Sequence, residues 1–174
     1  MRHTNWYVIT GAPCSGKTSV ICELERRGFQ VVHEVARACI DRDLKNGKTP
    51  ASIKADVPAF ERRILHEKIR LESLLPDREI IFLDRAVPDS IVYYKLKGLP
   101  SGDVIKKSSA IRYKKIFFFE RLRLKKDAVR TENTDQVARI ARELESSYRR
   151  LGYALLRVPI LPVRERADFI LKQL

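Results

Sequence analysis

Residues 11–18 read Gly11-Ala12-Pro13-Cys14-Ser15-Gly16-Lys17-Thr18 and decide the fold of this 174-residue chain. They fit the pattern G-x-x-x-x-G-K-[ST] without deviation, between the apolar segment Asn5–Thr10 (NWYVIT) and a helix expected from Lys17 to Arg27. In this pattern the glycines let the backbone wrap around phosphate oxygens, and the loop amides and helix N-terminus direct partial positive charge at them. The sequence therefore predicts a nucleoside triphosphate site, but the pattern does not specify the reaction.

Separate roles are predicted for side chains of this phosphate loop. Lys17 is expected to reach the β- and γ-phosphates, and the Thr18 hydroxyl is expected to ligate Mg²⁺. The predicted cofactors are thus ATP or GTP together with Mg²⁺. The residues expected to hold the nucleotide are Gly11, Ala12, Pro13, Cys14, Ser15, Gly16, Lys17, Thr18 and Ser19.

Apolar segments alternate with helical patterns along the rest of the chain. Strands separated by helices predict an α/β fold with a parallel sheet and helices on both faces, in one domain over residues 1–174. Segment 48–59 is expected to be a loop with a short helical piece, and segment 98–102 is expected to be a loop. The predicted strands are 5–10, 29–33, 79–83, 114–119 and 153–158, and the predicted helices are 17–27, 34–46, 60–75, 87–96, 134–151 and 163–174.

Ligands of parallel sheets bind at the carboxyl ends of the strands, so the residues that follow each strand are functional candidates. Asp84 follows four apolar residues and resembles a Walker B element, which orients Mg²⁺ directly or through water. Glu34 follows the second strand and could take a proton from an acceptor hydroxyl, hold the acceptor or position water. The alternative is that Glu34 is an ion-pair partner of Arg37 or Arg85.

Arginines and a second aspartate extend this candidate site. Arg37 could grip an anionic acceptor, and Arg85 could bridge the acceptor and the γ-phosphate. Asp89 has two interpretations of equal weight, since it could contact the substrate or brace the following helix.

The chain resembles the predicted ATPases grouped with the kinase domain of NadR, which are P-loop proteins of the nucleoside-kinase type with an AAA-type label. The segments that carry the resemblance are ITGAPCSGKT (9–18), HEVAR (33–37), FLDRAVPDSIVYY (82–94), D-x-x-R-x-E (127–132) and GYALLRVP (152–159). The resemblance implies a five-stranded sheet in the order 2-3-1-4-5 and an ATP- or GTP-dependent activity. One departure is Ala86, where the family pattern leads us to expect glycine, which puts a positive φ there in question.

A basic segment resembles the lid that closes over the phosphates in nucleotide kinases. This lid is expected at about residues 120–134, with Arg121, Arg123 and Arg130 as candidates to stabilise charge at the γ-phosphate. Lys125 and Lys126 are weaker candidates. A solvated basic face is the alternative for each residue taken singly.

The net charge of +13 has two interpretations, a contribution to solubility or an anionic partner such as a nucleotide, a nucleic acid or an acidic membrane. Most of the excess lies in residues 95–130, which contain 12 basic and 3 acidic residues. The three cysteines are too few for a disulfide framework and fit a cytoplasmic protein, as does the lack of a recognisable signal sequence. The histidines His3, His33 and His66 show no metal-ligand spacing, so a zinc site is not expected. No run of apolar residues is long enough to span a membrane.

Three functions fit these observations. The first is a P-loop NTPase or kinase that hydrolyses the γ-phosphate or transfers it to a small-molecule acceptor. The second is a nucleotide-binding switch that acts through a partner, although no N-K-x-D element for guanine selection is present. The third is an ATPase associated with nucleic acid, which the net charge suggests but which lacks aromatic stacking positions.

Overall fold

A five-stranded parallel sheet lies at the centre of this protein, of which the computed structural model describes residues 1–53, 55–121 and 134–174. The strands are β1 (Arg2–His3), β2 (Trp6–Gly11), β3 (Gln30–Val32), β4 (Ile81–Asp84), β5 (Ile111–Arg112), β6 (Lys115–Phe119) and β7 (Leu155–Val158). The helices are α1 (Lys17–Arg26), α2 (Val35–Lys45), α3 (Pro50–Ile53), α4 (Val57–Leu74), α5 (Asp89–Leu96), α6 (Gly102–Ser108), α7 (Thr134–Arg150) and α8 (Val163–Leu171).

The order of the central sheet is β3-β4-β2-β6-β7, with every neighbouring pair parallel. Counted along the chain, these five strands have the order 2-3-1-4-5, so the predicted α/β topology is confirmed. Strand order reverses at β2, and crevices for ligands form at such a reversal, beyond the carboxyl ends of the strands. The phosphate loop follows β2 and therefore starts at this point.

Alternating side chains of β2 are buried on both faces of the sheet. Tyr7 and Ile9 belong to the core between the sheet and helices α1 and α8. Trp6 and Val8 belong to the core on the opposite face, which includes Tyr148 of α7. Because helices cover both faces, β2 has no polar side until Thr10, which explains its continuous apolar sequence.

Short elements and one helix start differ from the prediction. Strands β1 and β5 pair in parallel as a separate two-stranded sheet, and α6 was not predicted. Two-residue strands carry no periodicity, which is why the sequence did not reveal them. Helix α4 begins at Val57 in the predicted loop, because Asp56 caps it by accepting a hydrogen bond from the Ala59 amide at 2.8 Å.

Among the described residues, no helix combines the length and the apolar composition needed to cross a lipid bilayer. The cysteines Cys14, Cys22 and Cys39 are all free, in agreement with the expectation that they form no disulfide framework.

Gly11 is expected to tolerate no side chain, since it has φ of 138° and lies opposite Phe119 in the sheet register. A Cβ atom there would lie 2.2 Å from the Phe119 carbonyl oxygen, whereas a Cβ at Gly28 would have no atom within 4 Å. Gly28 also has a positive φ, so Gly28→Ala should cost only the conformational strain, about 1–2 kcal/mol. Gly11→Ala should lower the free energy of unfolding by more, as measured by urea denaturation, and equal losses would contradict this.

Candidate functional site

The phosphate loop wraps back over the amino end of α1. Its backbone has positive φ at Gly11 (138°), Cys14 (57°) and Gly16 (82°), which turns the chain sharply. The Lys17 Nζ atom donates hydrogen bonds to the Ala12 carbonyl at 2.7 Å and to the Ser15 hydroxyl at 3.2 Å. Burial, followed by the charge of Arg85, lowers the pKa of Lys17 to about 8. An anionic ligand in the loop would favour the charged form of this lysine.

A buried arginine that sequence reasoning missed supports this loop from α8. Arg166 Nη1 donates a hydrogen bond to the Ser15 carbonyl oxygen at 3.0 Å, and the Arg166 guanidinium lies over the Phe119 ring. It follows Val163 by three positions and precedes Ile170 by four, so it falls on the buried stripe of a helix. A charged residue at an otherwise apolar position of this helical pattern was the sequence signal that could have identified Arg166.

Thr18 and Asp84 lie side by side at the amino end of α1. The Thr18 hydroxyl donates to Asp84 Oδ2 at 3.1 Å, whereas the buried Oδ1 has no partner in the described part of the chain. Burial and the neighbouring Glu34 raise the pKa of the Asp84 carboxyl. A hydroxyl next to a carboxylate oxygen that lacks a partner is a donor set that fits Mg²⁺, which binds oxygen ligands and usually keeps several waters.

Arg85 adopts a left-handed backbone conformation with φ of 68°. The positive φ that we questioned at Ala86 thus occurs one residue earlier, where the Arg85 amide donates to the Ile9 carbonyl oxygen at 3.0 Å. Its side chain is buried and donates two hydrogen bonds of 3.0 Å, from Nε to Glu34 Oε1 and from Nη1 to Asp89 Oδ1. These contacts support the alternative interpretation of Glu34 as an ion-pair partner, and they also fix its position beside Asp84.

Asp89 has no exposed surface and accepts four hydrogen bonds. Its Oδ1 atom accepts from the Thr10 hydroxyl at 2.6 Å and from Arg85 Nη1 at 3.0 Å. Its Oδ2 atom accepts from the Ala86 amide at 3.0 Å and from the Tyr148 hydroxyl at 2.6 Å. Burial alone would raise the pKa of this carboxyl, but the Arg85 charge and the hydrogen bonds hold it below its ordinary value. With its oxygens occupied, Asp89 is placed to brace the site, the second of its two predicted roles.

A cavity of about 140 Å³ opens between α2, α4 and α5. One part of its wall is apolar, formed by side chains such as Phe60 and Ile64, with the Tyr93 ring beside them. Its polar lining combines two acids with two bases. The residues around it are Glu34, Ala36, Ile40, Phe60, Glu61, Ile64, Lys68, Arg85, Ser90 and Tyr93.

Lys68 and Glu61 of this cavity were not singled out from the sequence. Lys68 Nζ is buried and donates to the Ala86 carbonyl oxygen at 3.0 Å and to the Ser90 hydroxyl at 3.2 Å. Burial lowers the pKa of Lys68 and raises that of Glu61. The signal for Lys68 was its place at helical spacing from Ile64, on the predicted buried stripe of α4.

Two further predicted site residues, Arg37 and Arg121, are described by the structure and do not line this cavity. Arg37 is exposed on α2, where its Nε is 3.4 Å from an Asp41 oxygen, and it does not line the cavity. Arg121 is half-buried just after β6 at the carboxyl edge of the sheet. Arg123, Arg130, Lys125 and Lys126 lie outside the described residues, so their roles and the lid itself remain predictions.

Comparison with known proteins assigns the family. The family described as AAA domain matches residues 6–166, which is nearly the whole chain. This chain belongs to that family. No curated protein matches the chain in sequence.

Solved structures of kinases have the same fold. NadR in complex with NR matches with a TM-score of 0.71 at 18% identity over 97% of this chain, which spans about half (51%) of the NadR chain. Deoxyadenosine kinase from M. mycoides, with products dCMP and dCDP bound, matches with a TM-score of 0.63 at 14% identity over 97% of both chains. Thymidylate kinase from Ehrlichia chaffeensis matches with a TM-score of 0.65 at 9% identity, over 97% of this chain and 96% of that chain.

Asp89→Asn is expected to destabilise the protein, because it leaves the buried Arg85 guanidinium with less compensating charge. The expected loss in the free energy of unfolding is about 3 kcal/mol or more. Asp41→Asn is the matched control, since Asp41 is about half exposed (52%) and its loss should change stability by about 0.5 kcal/mol or less. Chemical denaturation of both variants measures the difference, and two small, equal effects would contradict the bracing role.

Proposed function

We propose that this protein is a kinase that transfers the γ-phosphoryl group of a nucleoside triphosphate to a hydroxyl of a small molecule in the cavity beside the phosphate loop. One observation carries the proposal. Glu34 and Arg85 line the cavity, and both lie close enough to Lys17 to shift its pKa, Arg85 downwards and Glu34 upwards. In the proposed complex, both residues would lie between an acceptor in the cavity and a phosphate held by the loop.

In this proposal Glu34 acts as the general base. Arg85 holds its Oε1 atom at 3.0 Å, while Oε2 makes no hydrogen bond within the described residues. In the transfer step, Oε2 takes the proton of the acceptor hydroxyl as that oxygen bonds to the γ-phosphorus. The bond from the γ-phosphorus to the bridging oxygen breaks, which yields the phosphorylated acceptor and a nucleoside diphosphate.

Lys17 and Arg85 supply positive charge along the path of the phosphoryl group. Lys17 would exchange its bonds to the Ala12 carbonyl and Ser15 hydroxyl for phosphate oxygens. The Nη2 atom of Arg85 has no hydrogen-bond partner in the described ranges. It would therefore be free to bind the acceptor or the transferred group. Thr18 and Asp84 would hold Mg²⁺, which neutralises charge on the β- and γ-phosphates when it is bound.

The lining of the cavity indicates the kind of acceptor. Phe60 and Tyr93 provide ring faces for a flat or apolar part, while Lys68, Glu61 and Ser90 provide polar groups for its substituents. Related folds bind such molecules, because NadR is seen with NR and a deoxyadenosine kinase with dCMP. A hydroxylated molecule of nucleoside size is therefore the acceptor class to test first.

Nucleotide binding is expected to raise the melting temperature of the protein, because a ligand of the native state stabilises it by mass action. With Mg²⁺ present, ATP and GTP should be compared by thermal unfolding, together with Lys17→Ala. This variant should lose most of the shift, while Lys172→Ala, an exposed lysine of the same charge, should keep it. An unchanged shift in Lys17→Ala, or no shift with either nucleotide, would contradict the proposed site.

Phosphoryl transfer should depend on an acceptor and on Glu34. In an assay that follows γ-labelled nucleotide over a panel of hydroxylated acceptors, one class should raise turnover well above basal hydrolysis. Glu34→Gln should then lower kcat by about 10²- to 10⁴-fold, while the thermal shift with nucleotide persists. Glu165→Gln, an exposed glutamate on α8, is the control.

Turnover that no acceptor stimulates would overturn the kinase proposal in favour of a hydrolase or a nucleotide-dependent switch. Oligonucleotide binding with a steep salt dependence would instead favour the nucleic-acid alternative.

A further inference from the structure

We propose that Cys22, Glu25 and His33 form a surface site for a divalent transition-metal ion such as Zn²⁺, separate from the Thr18–Asp84 pair. One ligand atom of each side chain lies within 4.8 Å of the others, and all three residues are exposed. His33 Nε2 and Glu25 Oε2 are 3.1 Å apart. No step of the proposed phosphoryl transfer uses this cluster.

The backbone brings the three ligands together from two elements. Cys22 and Glu25 are three residues apart on α1, so their side chains project from the same face of the helix. His33 directly follows β3, and the chain reverses between α1 and β3 at Gly28, which has φ of 89°. The spacing C-x₂-E-x₇-H matches no common linear metal pattern, which explains why the scattered histidines gave no signal in the sequence.

The donor types select the kind of metal. Thiolate, imidazole and carboxylate are the three groups that bind Zn²⁺ in proteins, whereas Mg²⁺ takes oxygen ligands. Bond lengths near 2.0–2.3 Å in a tetrahedral site place neighbouring ligand atoms about 3.5 Å apart. The three ligand atoms lie within 4.8 Å of one another, and His33 Nε2 and Glu25 Oε2 are 3.1 Å apart. Three protein ligands leave the fourth position for water or an external group.

The metal would link the carboxyl-terminal half of α1 to the segment that leads into Glu34. Occupancy should therefore raise the melting temperature of the protein.

Cobalt is the probe that reports the ligands directly, because Co²⁺ bound to a thiolate shows a charge-transfer absorption and d–d bands that indicate a tetrahedral site. The full chain, stripped with EDTA, should develop these bands on titration with Co²⁺. Zn²⁺ should remove them at stoichiometric amounts, and a large excess of Mg²⁺ should leave them unchanged.

Variants of Cys22 and His33 test whether these residues bind the cobalt ion. Cys22→Ser should abolish the charge-transfer band, and His33→Ala should weaken Co²⁺ binding by roughly tenfold or more, since even supporting residues of metal sites contribute that much. Cys14→Ser and His66→Ala are matched controls at other exposed positions and should keep the wild-type bands. Because the ligands are exposed, the metal-free variants should unfold at the wild-type temperature.

The proposed metal site is wrong if Co²⁺ produces no thiolate band in the wild-type chain, or if the band survives in Cys22→Ser. Lys17→Ala provides the test of independence, because it should lose the nucleotide response and keep the cobalt spectrum.

Discussion

The buried carboxylate of Asp89 is the interaction on which the rest of the site depends. It lies at the start of α5 and accepts hydrogen bonds from the end of β2 through Thr10, from α7 through Tyr148, and from the turn after β4 through Arg85 and Ala86. A charge without access to water is stable only when it is paired and fully hydrogen-bonded. The need to satisfy Asp89 therefore fixes how four elements meet at the carboxyl edge of the sheet.

The geometry of Arg85 follows from this constraint. Its backbone takes a left-handed conformation, which is uncommon for residues other than glycine, and its guanidinium bridges Asp89 and Glu34. Asp89, on one side of the bridge, is buried in the core, while Glu34, on the other side, lines the cavity. Arg85, which pairs with the buried Asp89, thus also holds the Glu34 carboxylate at the position where the proposed chemistry requires a base.

Part of the positive charge in the segment 95–130 has a structural explanation. Arg112 donates to the carbonyl oxygens of Leu151 and Gly152 at 3.0 and 2.7 Å, just beyond the end of α7. Lys115 similarly contacts the Gln173 carbonyl oxygen just after α8. Cations near helix C-termini are favourable because free carbonyl groups there carry partial negative charge. Two of the basic residues in this segment thus have contacts within the fold, although their charges still contribute to the net charge of the chain.

Patterns that are local in the chain predicted a parallel sheet with helices on both faces, whereas the strand order was implied by the resemblance to a known family. The phosphate loop between β2 and α1, and the unbroken apolar run into Asp84, predicted both the sheet and the edge at which the site lies. Local patterns failed for β1 and β5, because two-residue strands are stabilised only by pairing with each other. They failed also at Val57, because Pro58 is tolerated in the first turn of a helix but suggests a loop when read alone.

The sequence by itself thus determined the fold, the phosphate loop and the candidate pair Thr18 and Asp84, since each rests on neighbours in the chain. Only the tertiary structure decided that Asp89 is buried and fully hydrogen-bonded, that Arg37 is exposed and does not line the cavity, and that Lys68 lines it. The reason is physical. Whether a charged side chain is solvated, paired or sealed in the core depends on elements distant in sequence, and burial makes the difference between these states large.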